Sequence, residues 1–303
     1  VSMFPEDGRT MEQLLQRADM AMYQAKTSGR GCVSFFSDGL DQLAQGRLRL
    51  EAALREAIES EALHLVYQPQ VDLGKSRLYG MEALARWTHP KLGEVSPSSF
   101  IPLAEELRLI INMTHQLLER ALSDLRQWHL DGYQLYLSVN LSTQHLEQPA
   151  LVEHTRFLLQ KYQVPASCLR FEVTESALMR DHQSAIDTML ALSELGVQLA
   201  LDDFGTGYSS LKYLKELPID GIKIDRSFVQ DIGIDSSDET IIEAMLSMAN
   251  SLGMYCVAEG VETEQQLAFF SRRQCYLIQG YLFAKPMPEQ DMFAFLQQEH
   301  ACH

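Results

Sequence analysis

The chain has 303 residues, 46% of them hydrophobic, and a formal net charge of −16 at pH 7. That length allows one large domain with an appendage, or two modest domains, around a sizeable core. The charge disfavours a broad basic face for a nucleic-acid polymer, and no run approaches the ~18 consecutive apolar residues of a membrane span. Five cysteines (Cys32, Cys168, Cys256, Cys275, Cys302) are scattered and form no C-x-x-C pair. They argue against disulfides and structural zinc and for a reducing, cytoplasmic setting, with any membrane anchor lying further upstream. No charged-then-apolar leader opens the chain, and its start reads as a cut inside a longer protein.

In chain order, Thr10 is placed to cap a helix whose apolar positions Leu14, Leu15, Ala18, Met22 and Ala25 recur at helical spacing. The helix is expected to end at Ser28-Gly29-Arg30-Gly31, and Cys32–Phe36 reads as a short strand. Residues 1–38 are too few for an independent core and read as the remnant of a truncated domain. Residues 39–60 carry a second helical pattern, about Asp41–Ser60, which reads as a linker helix. From 61 to 303 short apolar strands alternate with longer helical patterns. The strands are expected at Leu63–Gln68, Leu78–Ala85, Tyr136–Asn140, Arg170–Glu175, Gln198–Leu201, Gly221–Ile224, Tyr255–Ala258 and Tyr276–Ile278. The helices are expected at Pro102–Trp128, Pro149–Tyr162, His182–Leu195, Leu211–Leu217, Ser237–Leu252 and Thr263–Arg272. This alternation predicts an α/β fold, a modified (β/α)8 TIM-like barrel. The first two strands are too close in sequence for a helical crossover, so they should form a hairpin and one strand should run antiparallel.

Polar residues recur at the ends of these strands. The second reaches Glu82 and then Arg86, the third delivers Asn140, and the fourth presents Glu172 and Glu175. The next strands deliver Asp202 and Asp203, then Lys223 with Asp225 two on, then Glu259 and Gln279. Taken singly, each is an ordinary helix cap or solvated loop residue. Gly205-Thr206-Gly207 is a turn more readily than a phosphate cradle. Together they are hard oxygen donors without cysteine at the end of a barrel where active sites sit, which suits Mg²⁺ or Mn²⁺. So many carboxylates require cations between them, and two divalent ions would make a phosphoester-cleaving arrangement. The spacing alone leaves other magnesium barrel enzymes open, enolase-type lyases among them.

Glu82-Ala83-Leu84-Ala85-Arg86-Trp87 resembles the signature of EAL domains, the cyclic di-GMP phosphodiesterases. The resemblance spans roughly Arg47–Leu296. It runs through YQPQV (Tyr67–Val71), PLAEELRLI (Pro102–Ile110), VNLS (Val139–Ser142), EVTES (Glu172–Ser176) and DDFGTGYSSL (Asp202–Leu211), then KIDRSFV (Lys223–Val229), AEGVE (Ala258–Glu262) and QGYLFAKP (Gln279–Pro286). It implies metal-dependent hydrolysis of cyclic di-GMP to linear pGpG, lowering a bacterial second messenger. By motif, Glu82, Asn140, Glu172 and Asp202 would hold a first Mg²⁺ or Mn²⁺. Asp202 would be shared with a second ion held by Asp203 and Glu259. Lys223 and Gln279 would contact the hydrolytic waters, Gln68 and Arg86 the substrate, and Glu175 would hold the loop after the aspartate pair. The resemblance also implies a homodimer formed around Ser209–Leu217. The opening segment, FPEDG through AMYQAK to Gly29-Arg30, resembles the closing helix of a GGDEF domain, which implies upstream GGDEF or sensory domains. The chain departs from the EAL pattern at Gln274-Cys275-Tyr276, where the family commonly has Gly-Cys-Asp. No expected ligand is missing, which speaks against a degenerate domain that binds cyclic di-GMP without cleaving it.

Overall fold

A computed structural model of the chain describes residues 1–27, 32–75, 77–175, 182–205, 214 and 217–301. It divides into two compact units, Val1–Ser60 and Glu61–His303.

The first unit contains the helices Met11–Thr27 and Asp38–Glu59, which pack on each other. Thr10 caps the first of them: the Gln13 amide donates to Thr10 Oγ1 at 3.3 Å, and the Gln13 side chain accepts from the Thr10 amide. The strand expected at Cys32–Phe36 is not formed. The Phe36 amide donates to the Val1 carbonyl, and the Val1 amino group donates to Ser34. Those two bonds to one residue make no ladder, and Val33 and Phe35 stay exposed. The expected helix end at residues 28–31 lies outside the described residues.

The second unit carries nine strands: β1 (Leu63–Asp72), β2 (Arg77–His89), β3 (Gly93–Val95), β4 (Tyr136–Leu141), β5 (Leu169–Thr174), β6 (Gln198–Phe204), β7 (Gly221–Ile224), β8 (Tyr255–Ala258) and β9 (Leu277–Gln279). Their order is β1-β9-β8-β7-β6-β5-β4-β2-β3, and β1 also pairs with β2, which closes an eight-stranded barrel with β3 hung on β2 as an extra strand. β1 runs antiparallel to β2 and to β9, while the barrel's other pairings are parallel. The expected modified barrel with one reversed strand is the observed fold. Its strands are largely buried, because helices cover the outside and side chains fill the inside.

Two expectations fail for physical reasons. The helix expected over Pro102–Trp128 is two helices, Pro97–Glu106 and Ile110–Leu130. Arg108 between them takes φ +56°, a left-handed residue that ends one helix while the apolar spacing continues through it. The short elements Gly93–Val95, Thr143–Leu146 and Arg226–Gln230 have too few residues to show a period. The expected helix Leu211–Leu217 lies outside the described residues apart from Leu214 and Leu217.

The N-terminal end of the barrel is plugged by a charged aromatic cluster. Arg170 is fully buried, and its guanidinium lies 4.0 Å from the Tyr255 ring centroid, with Tyr79 and Tyr136 beyond it. Arg170 Nη2 donates to Tyr79 and to Gln198, each at 3.0 Å. The aromatic faces offset part of the cost of burying the cation.

Gln274, the first residue of the departure from the family pattern, follows the helix Glu264–Arg272 with φ +60°. Its amide donates to Ser271, and the Cys275 amide donates to Phe270, so Gln274 sits where a terminating helix ordinarily has glycine. Gln274→Gly is therefore expected to stabilise the domain by about 0.5–1 kcal/mol. Chemical denaturation checks this, and an unchanged or lowered midpoint would refute the account of strain.

Candidate active site

The strands deliver their polar side chains to one end of the barrel. Asn140 on β4 pairs in register with Glu172 on β5, and Thr174 pairs with Asp202 on β6. Gln68 on β1 stands opposite Glu82 on β2, and Glu259 directly follows β8. Successive strand residues normally face opposite ways, so two adjacent aspartates should not share a site. The β6–β7 register shifts between Leu201 and Phe204, and Asp203 takes φ +53°. This bulge re-aims the pair, and both aspartates line the same cleft. The Asp203 amide donates to Asp202 Oδ1 at 3.0 Å.

Lys223 lies at the centre, 1% exposed. Its Nζ stands 2.5 Å from Glu172, 2.6 Å from Glu259, 3.3 Å from Asp202 and 3.4 Å from Glu82. Burial alone would lower its pKa, but these four carboxylates hold the ammonium well above its ordinary value. One ammonium cannot neutralise four carboxylates. Burial pushes the Glu172 carboxyl up to about 8 and that of Glu259 well above the usual range. Burial, reinforced by the Asp202 charge, raises Asp203 to about 6. Glu82 goes the other way: burial opposes its ionisation, but the Lys223 charge and hydrogen bonds from Gln279 and Asn140 hold it low. Those bonds are short, with Asn140 Nδ2 donating to Oε1 at 2.6 Å and Gln279 Nε2 to Oε2 at 2.7 Å.

The remaining expected residues are placed as follows. Gln68 is buried, donates to the Ala284 carbonyl and accepts from Gln279. Gln279 ends β9 and is followed by Gly280, where a Cβ would fall 2.0 Å from the Val261 carbonyl oxygen, so only glycine lets the chain turn there. Arg86 lines the cleft, its Nη1 donating to Ala85 O at 2.8 Å. Glu175 is buried just past β5, and neither of its carboxylate oxygens has a partner among the described residues. The loop that Glu175 is expected to hold lies outside those residues. Asp225 is a helix cap, accepting from the Ser227 amide. The sequence reading missed Gln70, which donates to Gln279 at 2.9 Å. Its signal is the two-residue spacing from Gln68, which puts both glutamines on one face of β1.

A cleft of about 570 Å³ meets the cluster at Asn140, Asp202 and Asp203 and is walled by Arg86, Ile101, Glu105 and Met113, among others. Among the described residues no trio of Asp, Glu, His or Cys is arranged as a ready-made metal cage. The Lys223 ammonium stands between the carboxylates instead.

Residues 51–286 match the family model described as the EAL domain. The chain belongs to the EAL domain family. Its EAL signature is Glu82-Ala83-Leu84 on β2, whereas a second Glu-Ala-Leu triplet, Glu61-Ala62-Leu63, begins on an exposed residue before β1. The chain is 43% identical to the cyclic di-GMP phosphodiesterase NbdA of Pseudomonas aeruginosa over 298 residues, 98% of this chain and 38% of that one. It is 40% identical to the bifunctional diguanylate cyclase/cyclic di-GMP phosphodiesterase MucR of the same organism over 295 residues, 97% of this chain and 43% of that one. The chain therefore spans about two fifths of the length of these curated relatives. Among solved structures it resembles the PaMucR phosphodiesterase in its c-di-GMP complex, with 41% identity, a TM-score of 0.76, and coverage of 80% of this chain and 99% of that one. Among the described residues no helix is long and apolar enough to cross a membrane.

Proposed function

We propose that this EAL domain hydrolyses one 3′–5′ phosphodiester bond of cyclic di-GMP to linear pGpG with two Mg²⁺ or Mn²⁺ ions, lowering the level of that messenger in bacterial signalling. The observation that carries the reading is the cluster of four carboxylates around Lys223, of which Asp202 also lines the cleft. The residues fit divalent ions in chemistry and charge. The donors are hard oxygens, the site holds excess negative charge, and Glu172 Oε1 is a buried acceptor with no partner among the described residues. Glu82, Asn140, Glu172 and Asp202 would hold one ion, and Asp202, Asp203 and Glu259 the other. When bound, the ions supply Lewis acidity toward phosphoryl oxygens and favour ionisation of water.

The chain's own residues divide the remaining work. Arg86 turns its guanidinium from the Ala85 carbonyl to a phosphate, a charge-assisted bond. Gln68 contributes its carboxamide to the substrate side. Lys223 donates a hydrogen bond that orients the attacking water, and Gln279, whose two amide hydrogens go to Gln68 and Glu82, places Glu82 beside it. Glu175 has a positional role, holding the segment beyond Asp203. The domain acts as a homodimer in this reading, and Val1–Phe36 is the end of a GGDEF domain. The match of 97% of this chain to the bifunctional MucR supports that second point.

Incubation with cyclic di-GMP and Mg²⁺ or Mn²⁺ is expected to yield pGpG, and EDTA should stop the reaction. Binding of cyclic di-GMP without product in either metal would overturn the reading and leave a receptor. Light scattering at micromolar concentration tests the dimer.

A further inference from the structure

Three buried glutamines form a directed chain that ends on Glu82. Gln68, Gln70 and Gln279 are each at most 8% exposed. Gln70 Nε2 donates to Gln279 Oε1 at 2.9 Å, Gln279 Nε2 donates to Gln68 Oε1 at 3.0 Å and to Glu82 Oε2 at 2.7 Å, and Gln68 Nε2 donates to the Ala284 carbonyl.

A carboxamide has a donor end and an acceptor end of nearly equal size, so its function depends on which way round it sits. Here the direction follows from groups that can only accept. The Ala284 carbonyl claims the donor end of Gln68, which leaves the Gln68 oxygen facing Gln279. Glu82 Oε2, which also faces the Lys223 ammonium, is a second acceptor. Gln279 must therefore turn its nitrogen toward both, and among the described residues its oxygen has one donor, Gln70. Backbone pairing fixes that contact, since Gln70 on β1 stands opposite Gln279 on β9. Without the Gln70 donor, the Gln279 oxygen loses its partner in a buried setting, and the carboxamide is held only through its nitrogen.

We propose that Gln70 is a positioning residue of the active site, whose donor end anchors the oxygen of the Gln279 carboxamide and so holds its nitrogen in place against Glu82 and Gln68. The functional part of this rests on the phosphodiesterase reading above. Gln70 is not in the lining of the cleft, and its side chain donates to Gln279. It should therefore set kcat and leave KM nearly alone.

The test is a double-mutant cycle with an independent spectroscopic readout. Gln70→Met keeps the length and removes the donor, and it should lower kcat about tenfold, the scale of losing a supporting partner. Gln70→Glu places an acceptor against an acceptor and should cost more, whereas Gln70→Asn should retain part of the activity. In a Gln279→Leu background, Gln70→Met should change kcat less than twofold. An equal fold loss in both backgrounds would show a merely structural role and overturn the proposal. The Gln279 side-chain NH₂ resonances, assigned by their loss in Gln279→Leu, should move in Gln70→Met and Gln70→Glu. If they do not move in folded Gln70→Glu protein, the proposal is wrong. Should the wild type fail to cleave cyclic di-GMP, the phosphodiesterase reading falls, and the same resonances still decide whether Gln70 orients Gln279. If Gln70→Met fails to fold, Gln70→Asn and Gln70→Glu carry the same comparison.

Discussion

Lys223→Met is expected to remove turnover of cyclic di-GMP, by on the order of 10³-fold or more, and to destabilise the metal-free domain by about 3–5 kcal/mol. The ammonium is the cation that Glu82, Glu172, Asp202 and Glu259 share. Without it, four carboxylates face one another in a buried site. Proton uptake limits the damage, because burial already favours the protonated forms of Glu172 and Glu259. Divalent ions should compensate further, so added Mn²⁺ should raise the melting temperature of the variant more than that of the wild type. Thermal melts with and without metal check this separately from activity. A variant as stable as the wild type without metal would show that Lys223 is not the counter-ion of the cluster.

Glu82→Ala is expected to be as damaging to turnover, on the order of 10³-fold, while retaining cyclic di-GMP binding within about tenfold. Glu82 is the acceptor shared by Asn140, Gln279 and Lys223. Truncation takes one acceptor each from exposed Asn140 and from buried Gln279 and Lys223, which keep Gln68 and the other carboxylates, and costs about 1–3 kcal/mol where water cannot replace it. Arg86 and most of the cleft wall are untouched, so affinity should survive where catalysis does not. Glu82→Gln is no mild substitute, because one end of the new amide would present a donor to a donor. Calorimetric titration beside a product assay separates the two effects. Equal losses in binding and turnover would mean that Glu82 mainly builds the cleft.

Much of the barrel is legible in the residues because each strand is a short apolar run ending in a polar residue. Gly221–Ile224 and Tyr255–Ala258 are found where the apolar run alone places them. The hairpin from Leu63 follows from connection length. What periodicity does not carry is left-handed backbone. Arg108 divides an otherwise continuous helical pattern, and Asp203 makes a bulge where plain alternation would send one aspartate away from the site. A strand also needs a partner, and Cys32–Phe36 has the composition of one without the ladder. Within the site, residue types and strand ends point to Glu82, Glu172, Asp202, Lys223 and Glu259 as a group. The geometry adds that Lys223 stands among the carboxylates. Gln70 was missed because a buried amide among apolar residues carries no charge signal. Its role depends on a β1–β9 register that only the closed barrel defines.

The closure of the barrel gives the site an order of assembly. β1 pairs with β2 along ten residues but with β9 along only three, Gln70 to Asp72. The β1–β2 hairpin is local and can form early, whereas the bond from Gln279 to Glu82 joins residues 197 positions apart. Such a long loop closure comes late in folding. During synthesis the acidic cluster and its lysine are all present once Glu259 has emerged, but the carboxamide that restrains Glu82 arrives twenty residues later. The last short strand therefore finishes both the barrel and its catalytic floor, and a nascent chain that stops before Gln279 would carry the charged groups without the element that sets their direction.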